Sequence, residues 1–210
     1  MSGPESKSAL RRSLLRARSA MPAERLAAAG PVLAQRALSL PDLARARTVA
    51  GYVSVGAEPG TGALLDALRA RGARVLLPVL LPDDDLDWAE YEGPERLRPA
   101  GRGLREPAGR PLGPEAVLTA EAVLLPGLAV DPTGLRLGRG GGSYDRVLAR
   151  LAREGARPAL VVLLHSGEML PRVPAESHDR RVDAAVTPEG VTRFAATAPP
   201  TPGRATTPEG

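Results

Sequence analysis

The stretch AVLLPGLAVDPTGLRLGRGGGSYDRVLARLAR, residues 122–153, decides the fold. It opens on an apolar run, Ala122 to Leu125, of strand length and breaks at Pro126 and Gly127. It then crosses a glycine cluster and resumes as a helical pattern from about Tyr144 to Arg153. A second apolar run, Pro158 to Leu164, follows at once. Strand, crossover helix and strand form the repeating unit of a parallel sheet.

Working outward, the same alternation continues. Thr48 to Val55 (TVAGYVSV) is rich in β-branched residues and reads as a buried strand. Gly60 to Arg71 reads as an Ala/Leu helix closed by Gly72. Arg74 to Leu77 is a strand ended by Pro78, and Leu86 to Tyr91 a shorter one. Near the N-terminus, Lys7 to about Ala20 is helical, with Leu10, Leu14 and Met21 on one face. A second helix runs from about Pro22 to about Leu38, with Gly30 and Pro31 marking a kink or break. Gly93 to Pro114, rich in Gly, Pro and Arg, reads as a long surface excursion, and Val182 to Thr187 as the final strand. The pattern predicts one α/β domain over residues 1–194, its central sheet largely parallel. A disordered Pro/Thr-rich tail is expected at 195–210.

The glycine cluster carries the chemistry. Four glycines in the five residues 138–142 let backbone N–H groups approach an anion. A helix starting near Ser143 or Tyr144 points its positive end at the same place. Arg136 and Arg139 add formal charge for phosphate oxygens, and Asp145 is placed to reach a phosphate-bound magnesium ion. The P-loop pattern is absent, and a G-x-G-x-x-G match from Gly138 fails at Ser143. On the first helix, Lys7, Arg11 and Arg18 fall among the leucines, while Arg12 and Arg16 fall opposite. Two readings stand: the stripe's edge lines an anionic pocket, or long side chains snorkel out of a buried face.

Composition narrows the field. The chain has 210 residues, net charge +4, 2% aromatics and no cysteine. Absence of cysteine excludes a disulfide framework, a thiolate nucleophile and Cys-based zinc sites. Basic and acidic residues are interspersed and stacking aromatics are scarce, which argues against nucleic acid. No apolar run reaches spanning length, and residues 1–12 lack a signal-peptide core, so a cytoplasmic protein is expected.

These residues resemble the 5-formyltetrahydrofolate cyclo-ligase (5,10-methenyltetrahydrofolate synthetase) family. The resemblance rests on Pro126 to Leu128, Asp131 to Leu137, the cluster Gly138 to Gly142, and Tyr144 with Asp145. Flanking it in order are Lys7 and Arg11, then Ser54, Glu58 and Thr61, then Pro174, Asp179, Val182, Asp183 and Thr187. Ser143 stands where many members carry tyrosine, and Glu168 where glutamine is frequent.

The resemblance implies a layered α/β/α domain of the NagB/RpiA/CoA-transferase type. It implies a ligase that uses ATP and Mg2+ to close 5-formyltetrahydrofolate into 5,10-methenyltetrahydrofolate through a phosphorylated formyl oxygen. ATP would be held by Lys7, Arg11, Arg136, Leu137, Gly138, Arg139, Gly140, Gly141, Gly142, Ser143 and Tyr144. Arg11, Arg139 and Tyr144 would be catalytic, Val53 and Glu58 would meet the folate, and Asp145 and Asp183 would hold the metal. The implied partner is a small folate, with no nucleic acid and no membrane, bound by a monomer. A degenerate relative that keeps nucleotide binding without folate turnover is the alternative. His165 and His178 are too few for a zinc site, and the run Asp83 to Asp85 reads as a solvated turn.

Overall fold

The apolar runs lie side by side in a computed structural model that describes residues 6–176 and 179–195. In chain order the elements are α1 (Lys7–Ser19), α2 (Ala23–Ala37), α3 (Pro41–Ala44), β1 (Thr48–Ala50), α4 (Gly62–Ala70), β2 (Arg74–Leu80) and β3 (Leu86–Glu90). Then come β4 (Leu97–Pro99), β5 (Arg105–Pro107), β6 (Ala122–Leu125), β7 (Ala129–Val130), β8 (Arg136–Leu137), α5 (Ser143–Arg153), β9 (Ala159–Leu163), β10 (Ala184–Thr187) and β11 (Gly190–Arg193). Seven strands form one sheet in the order β11-β10-β9-β6-β1-β2-β3. The five inner strands are parallel, and only the edges β3 and β11 run antiparallel.

Period-two alternation assigns each strand residue to one of two cores. Ala122 and Leu124 of β6 join Leu33 and Ala37 of α2 and Leu64, Leu65 and Leu68 of α4. Val123 and Leu125 face the other way, against Trp88, Val117 and the α5 residues Val147, Leu148 and Leu151. Helices therefore cover both faces, as a parallel sheet of uninterrupted aliphatic strands requires. Each fully buried aliphatic side chain stabilises by about 1.5–3 kcal/mol relative to exposure, and Leu33, Leu64 and Leu124 are all fully buried.

Several elements differ from the sequence expectation. β1 stops at Ala50, and beyond Gly51 the chain leaves the ladder, with Tyr52, Val53 and Val55 lining a cavity. β2 runs through Pro78 to Leu80. The carbonyl of Leu76 accepts from Gly51 on the β1 side, so Pro78, two residues on, turns its donorless nitrogen to the side where β1 has already ended. α2 passes unbroken through Pro31. β11 adds a strand after the one expected to be last. The excursion at Gly93 to Pro114 contains the ribbon β4–β5. The expected tail beyond Ala195, and His178, lie outside the described residues.

Asp83, Asp84 and Asp85 form the expected turn, with Asp83 exposed, but its carboxylates and carbonyl are not left to solvent alone. Asp84 pairs with Arg102 at 2.7 Å and Asp85 with Arg150 at 2.6 Å, while the Asp83 carbonyl accepts from Arg146. The β2–β3 turn is thus tied to α5 on one side and to the tip of the excursion on the other.

Connections from β1 lead first to β2 on one side and later to β6 on the other. That reversal opens a crevice beyond the carboxyl ends of β1 and β6, where doubly wound sheets bind their ligands.

Candidate active site

The loop after β6 and the loop after β1 face each other across this crevice. A cavity of about 370 Å³ lies there, lined by Tyr52, Val53, Val55 and Glu58 on one side and by Arg136 and Gly138 to Asp145 on the other. Gly140 and Gly142 have φ of +92° and +79°, a left-handed backbone that side chains resist. A Cβ added at Gly141 or Gly142 would meet nothing within 4 Å, so open space lies over the loop. Gly142 is the N-cap of α5 and no side chain caps that end. Its first-turn N–H groups therefore have no side-chain acceptor, and the helix presents an anion site.

Arg136 is buried beneath the loop. It donates to Pro126 O at 2.7 Å and to Asp145 Oδ1 at 3.4 Å, but its Nε has no partner. Burial pushes its pKa down, opposed by the Asp145 carboxylate. A buried guanidinium with an orphaned donor is one that an incoming anion stabilises. The hydroxyl of Tyr144 is also buried without a partner. Burial, reinforced by Glu58, pushes the phenols of Tyr144 and Tyr52 upward, so both stay neutral.

Arg139 reaches across the crevice to Glu58, Nη1 to Oε1, at 2.8 Å. The other oxygen of Glu58 accepts from Val55 N at 2.8 Å, which fixes the carboxylate at the cavity wall. Arg11 enters from α1, its Nε donating to Gly138 O at 2.9 Å, and its Cζ lies 3.4 Å from where a Cβ on Gly140 would stand. Val53, Glu58, Arg136, Gly138 to Asp145 and Arg11 are therefore brought together, with Leu137 buried directly behind them.

Two expected residues are not. Lys7 is held by Glu176 at 2.9 Å and Asp179 at 2.6 Å and does not line the cavity. Burial works against its charge, but the hydrogen bonds to Asp179 and Glu176 prevail and raise its pKa. Asp183 precedes β10, at the amino ends of the strands, where it accepts from Leu160 N at 2.7 Å and lines a separate groove. The length of the sheet separates it from Asp145, so the two carboxylates do not share an ion. Arg18 answers the question left open for α1. It is buried, paired with Glu168 at 2.7 Å and donating to Gly127 O at 2.7 Å. For Lys7 and Arg18 the anions are the chain's own carboxylates; only Arg11 meets the glycine loop.

The excursion, which in sequence reads only as a surface segment, forms part of the cavity wall. Arg102, Leu104, Arg105 and Glu106 line the cavity beside Pro78, Leu80 and Leu86. Glu106 Oε1 accepts from Leu80 N at 2.9 Å, docking β5 against the carboxyl end of β2. The signal present in sequence was Gly101-Arg102-Gly103, a small turn carrying one cation.

Fold and site together define an α/β protein with a cationic, glycine-lined cavity suited to a phosphate-like anion at the carboxyl edge of its sheet. Residues 4–188 match the sequence profile of the 5-formyltetrahydrofolate cyclo-ligase family, and the chain belongs to that family. The 5-formyltetrahydrofolate cyclo-ligase of Mycolicibacterium smegmatis is 41% identical over 191 residues, covering 89% of this chain and 95% of that protein. The enzyme of that name from Escherichia coli K12 is 31% identical over 164 residues, covering 77% and 89%. The structure of 5,10-methenyltetrahydrofolate synthetase from Aquifex aeolicus superposes with a TM-score of 0.75 at 25% identity, covering 96% of this chain and 99% of that one.

Proposed function

We propose that this protein is a ligase that closes 5-formyltetrahydrofolate into 5,10-methenyltetrahydrofolate at the expense of ATP, releasing ADP and phosphate. One observation carries the reading: in a chain of this family, Arg139 of the glycine loop and Glu58 of the opposite loop meet across one cavity. That arrangement puts a phosphate cradle next to an acceptor suited to paired N–H donors of a pterin edge.

The chemistry asks for such closeness. A formamide oxygen is a poor leaving group until it is phosphorylated. The γ-phosphoryl group moves to that oxygen, N10 of the same folate attacks the activated carbon, and phosphate departs. The protein's contribution is positioning and charge stabilisation. Loop amides 138–142, with Arg136 and Arg11, hold the phosphate tail. Arg139 neutralises charge on the group in flight, and the Tyr144 hydroxyl donates into the same space. Val53 and Glu58 hold the pterin. Asp145 would hold magnesium, whose role when bound is to shield phosphate charge; its exposed oxygens beside the loop suit an ion that needs only one or two protein carboxylates. Lys7 would have to leave Asp179 and Glu176 to reach a phosphate. We further propose that the protein works as a monomer in the cytoplasm; among the described residues no helix is long and apolar enough to cross a membrane.

Single-turnover mixing with 5-formyltetrahydrofolate, ATP and magnesium tests this. The methenyl product's absorbance should rise in step with ADP. Nucleotide binding with no methenyl product would identify a degenerate relative instead.

A further inference from the structure

The cavity continues past Glu58 into a region the proposed reaction leaves unassigned. Order along the sheet edge is fixed by topology: the glycine loop follows β6, Glu58 follows β1, Pro78 and Leu80 lie on β2, and β5 docks beyond them through Glu106. Read in that direction the lining changes from phosphate cradle to carboxylate, then to an apolar wall of Pro78, Leu80, Leu86 and Leu104, and then to Arg102 and Arg105. Arg102 is steadied by Asp84 at 2.7 Å, and Arg105 makes one hydrogen bond, through Nη2 to Pro94 O at 3.1 Å. Among the described residues, Arg105 therefore keeps charge-bearing donors to spare in the cavity wall.

We propose that Arg105, with Arg102 beside it, takes the carboxylates at the glutamate end of the folate, and so sets which folates the enzyme prefers. This rests on the function proposed above. A folate has the same order of groups as the wall: a polar ring edge, an apolar aromatic spacer and an anionic end. A pterin held by Glu58 therefore lays its spacer on Leu80, Leu86 and Leu104 and delivers its carboxylates to the guanidinium groups. Carboxylate and guanidinium suit one another through paired, charge-assisted hydrogen bonds. The phosphates of ATP already have Arg136, Arg139 and Arg11 at the glycine loop, so two more arginines on the excursion answer a different anion.

The test crosses residue with substrate. Arg105→Ala, and separately Arg102→Ala, are assayed with 5-formyltetrahydrofolate and with the same formyl pteridine lacking its glutamate. With the complete substrate, Arg105→Ala should raise KM by about tenfold or more, leaving kcat and the KM for ATP unchanged. Wild type and variant should be alike on the truncated substrate, and Arg105→Lys should recover part of the loss. Equal losses on both substrates would overturn the proposal, since the arginine would then act on the shape of the mouth. An unchanged KM, or a raised KM for ATP, would overturn it too. Failure of the wild-type protein to turn over either folate would refute the reaction itself, a result distinguishable from all of these.

Discussion

Arg139 and Tyr144 make the sharpest case at the level of single residues. Arg139 is half-exposed and its partner in this structure is Glu58, so its removal costs the fold little. Arg139→Ala should lower kcat by about a hundredfold or more while the melting temperature stays within a degree or two. Parallel loss of both would contradict the role. The Tyr144 hydroxyl is buried with no partner. An unmet buried hydroxyl lends no stability, so Tyr144→Phe should leave unfolding free energy unchanged or slightly higher while turnover falls. A variant that is clearly less stable, or fully active, would remove that hydroxyl from the mechanism. Asp131 is a structural carboxylate. Burial works to raise its pKa, but hydrogen bonds from Thr133, Val173 and Leu135 outweigh it and bring the pKa down. Its folded pKa thus lies below the unfolded one, so its stabilisation is complete above an unfolded value of about 3.9 and drains away as pH falls through the folded value. Melting curves from pH 7 to pH 2 should show that acid-side slope flattened in Asp131→Asn.

Elements show where sequence reading succeeds and where it stops. The glycine loop and α5 were legible because local chemistry fixes them: glycines where the backbone is left-handed, then an amphipathic run. Ten of the residues expected around the ligand, Arg136 to Asp145, follow one another in sequence, and all but Leu137 line the cavity. Non-local partners were not legible. No pattern in residues 7–19 says that Arg18 will find Glu168, and none in Asp83 to Asp85 says that three arginines wait on two other elements. Asp183 misled for a related reason: its place in a sequence motif says nothing about which end of a strand it occupies. The Arg18–Glu168 pair joins α1 to the segments around Gly127 and His165, since Glu168 also accepts from His165 N at 2.8 Å. Glu168→Ala leaves a buried cation uncompensated and should cost about 3–5 kcal/mol in denaturant unfolding. A cost below about 1 kcal/mol would show that water replaces the carboxylate.

At the scale of the whole molecule, strand order makes the site. Residue 58 and residue 139 are far apart in sequence, yet the chain turns one way from β1 to β2 and the other way to β6, so their loops share one crevice. The antiparallel edge β3 and the β4–β5 ribbon then carry the excursion back over the same edge. The central claim is that the bare amides of residues 138–142 hold a triphosphate at this reversal. A crystal structure with magnesium and a non-hydrolysable ATP analogue tests it most directly. Phosphate density should lie within hydrogen-bonding distance of those amides and of Arg136, with Arg139 turned away from Glu58. Nucleotide bound elsewhere, over an empty glycine bend with the Arg139–Glu58 pair intact, would contradict the account.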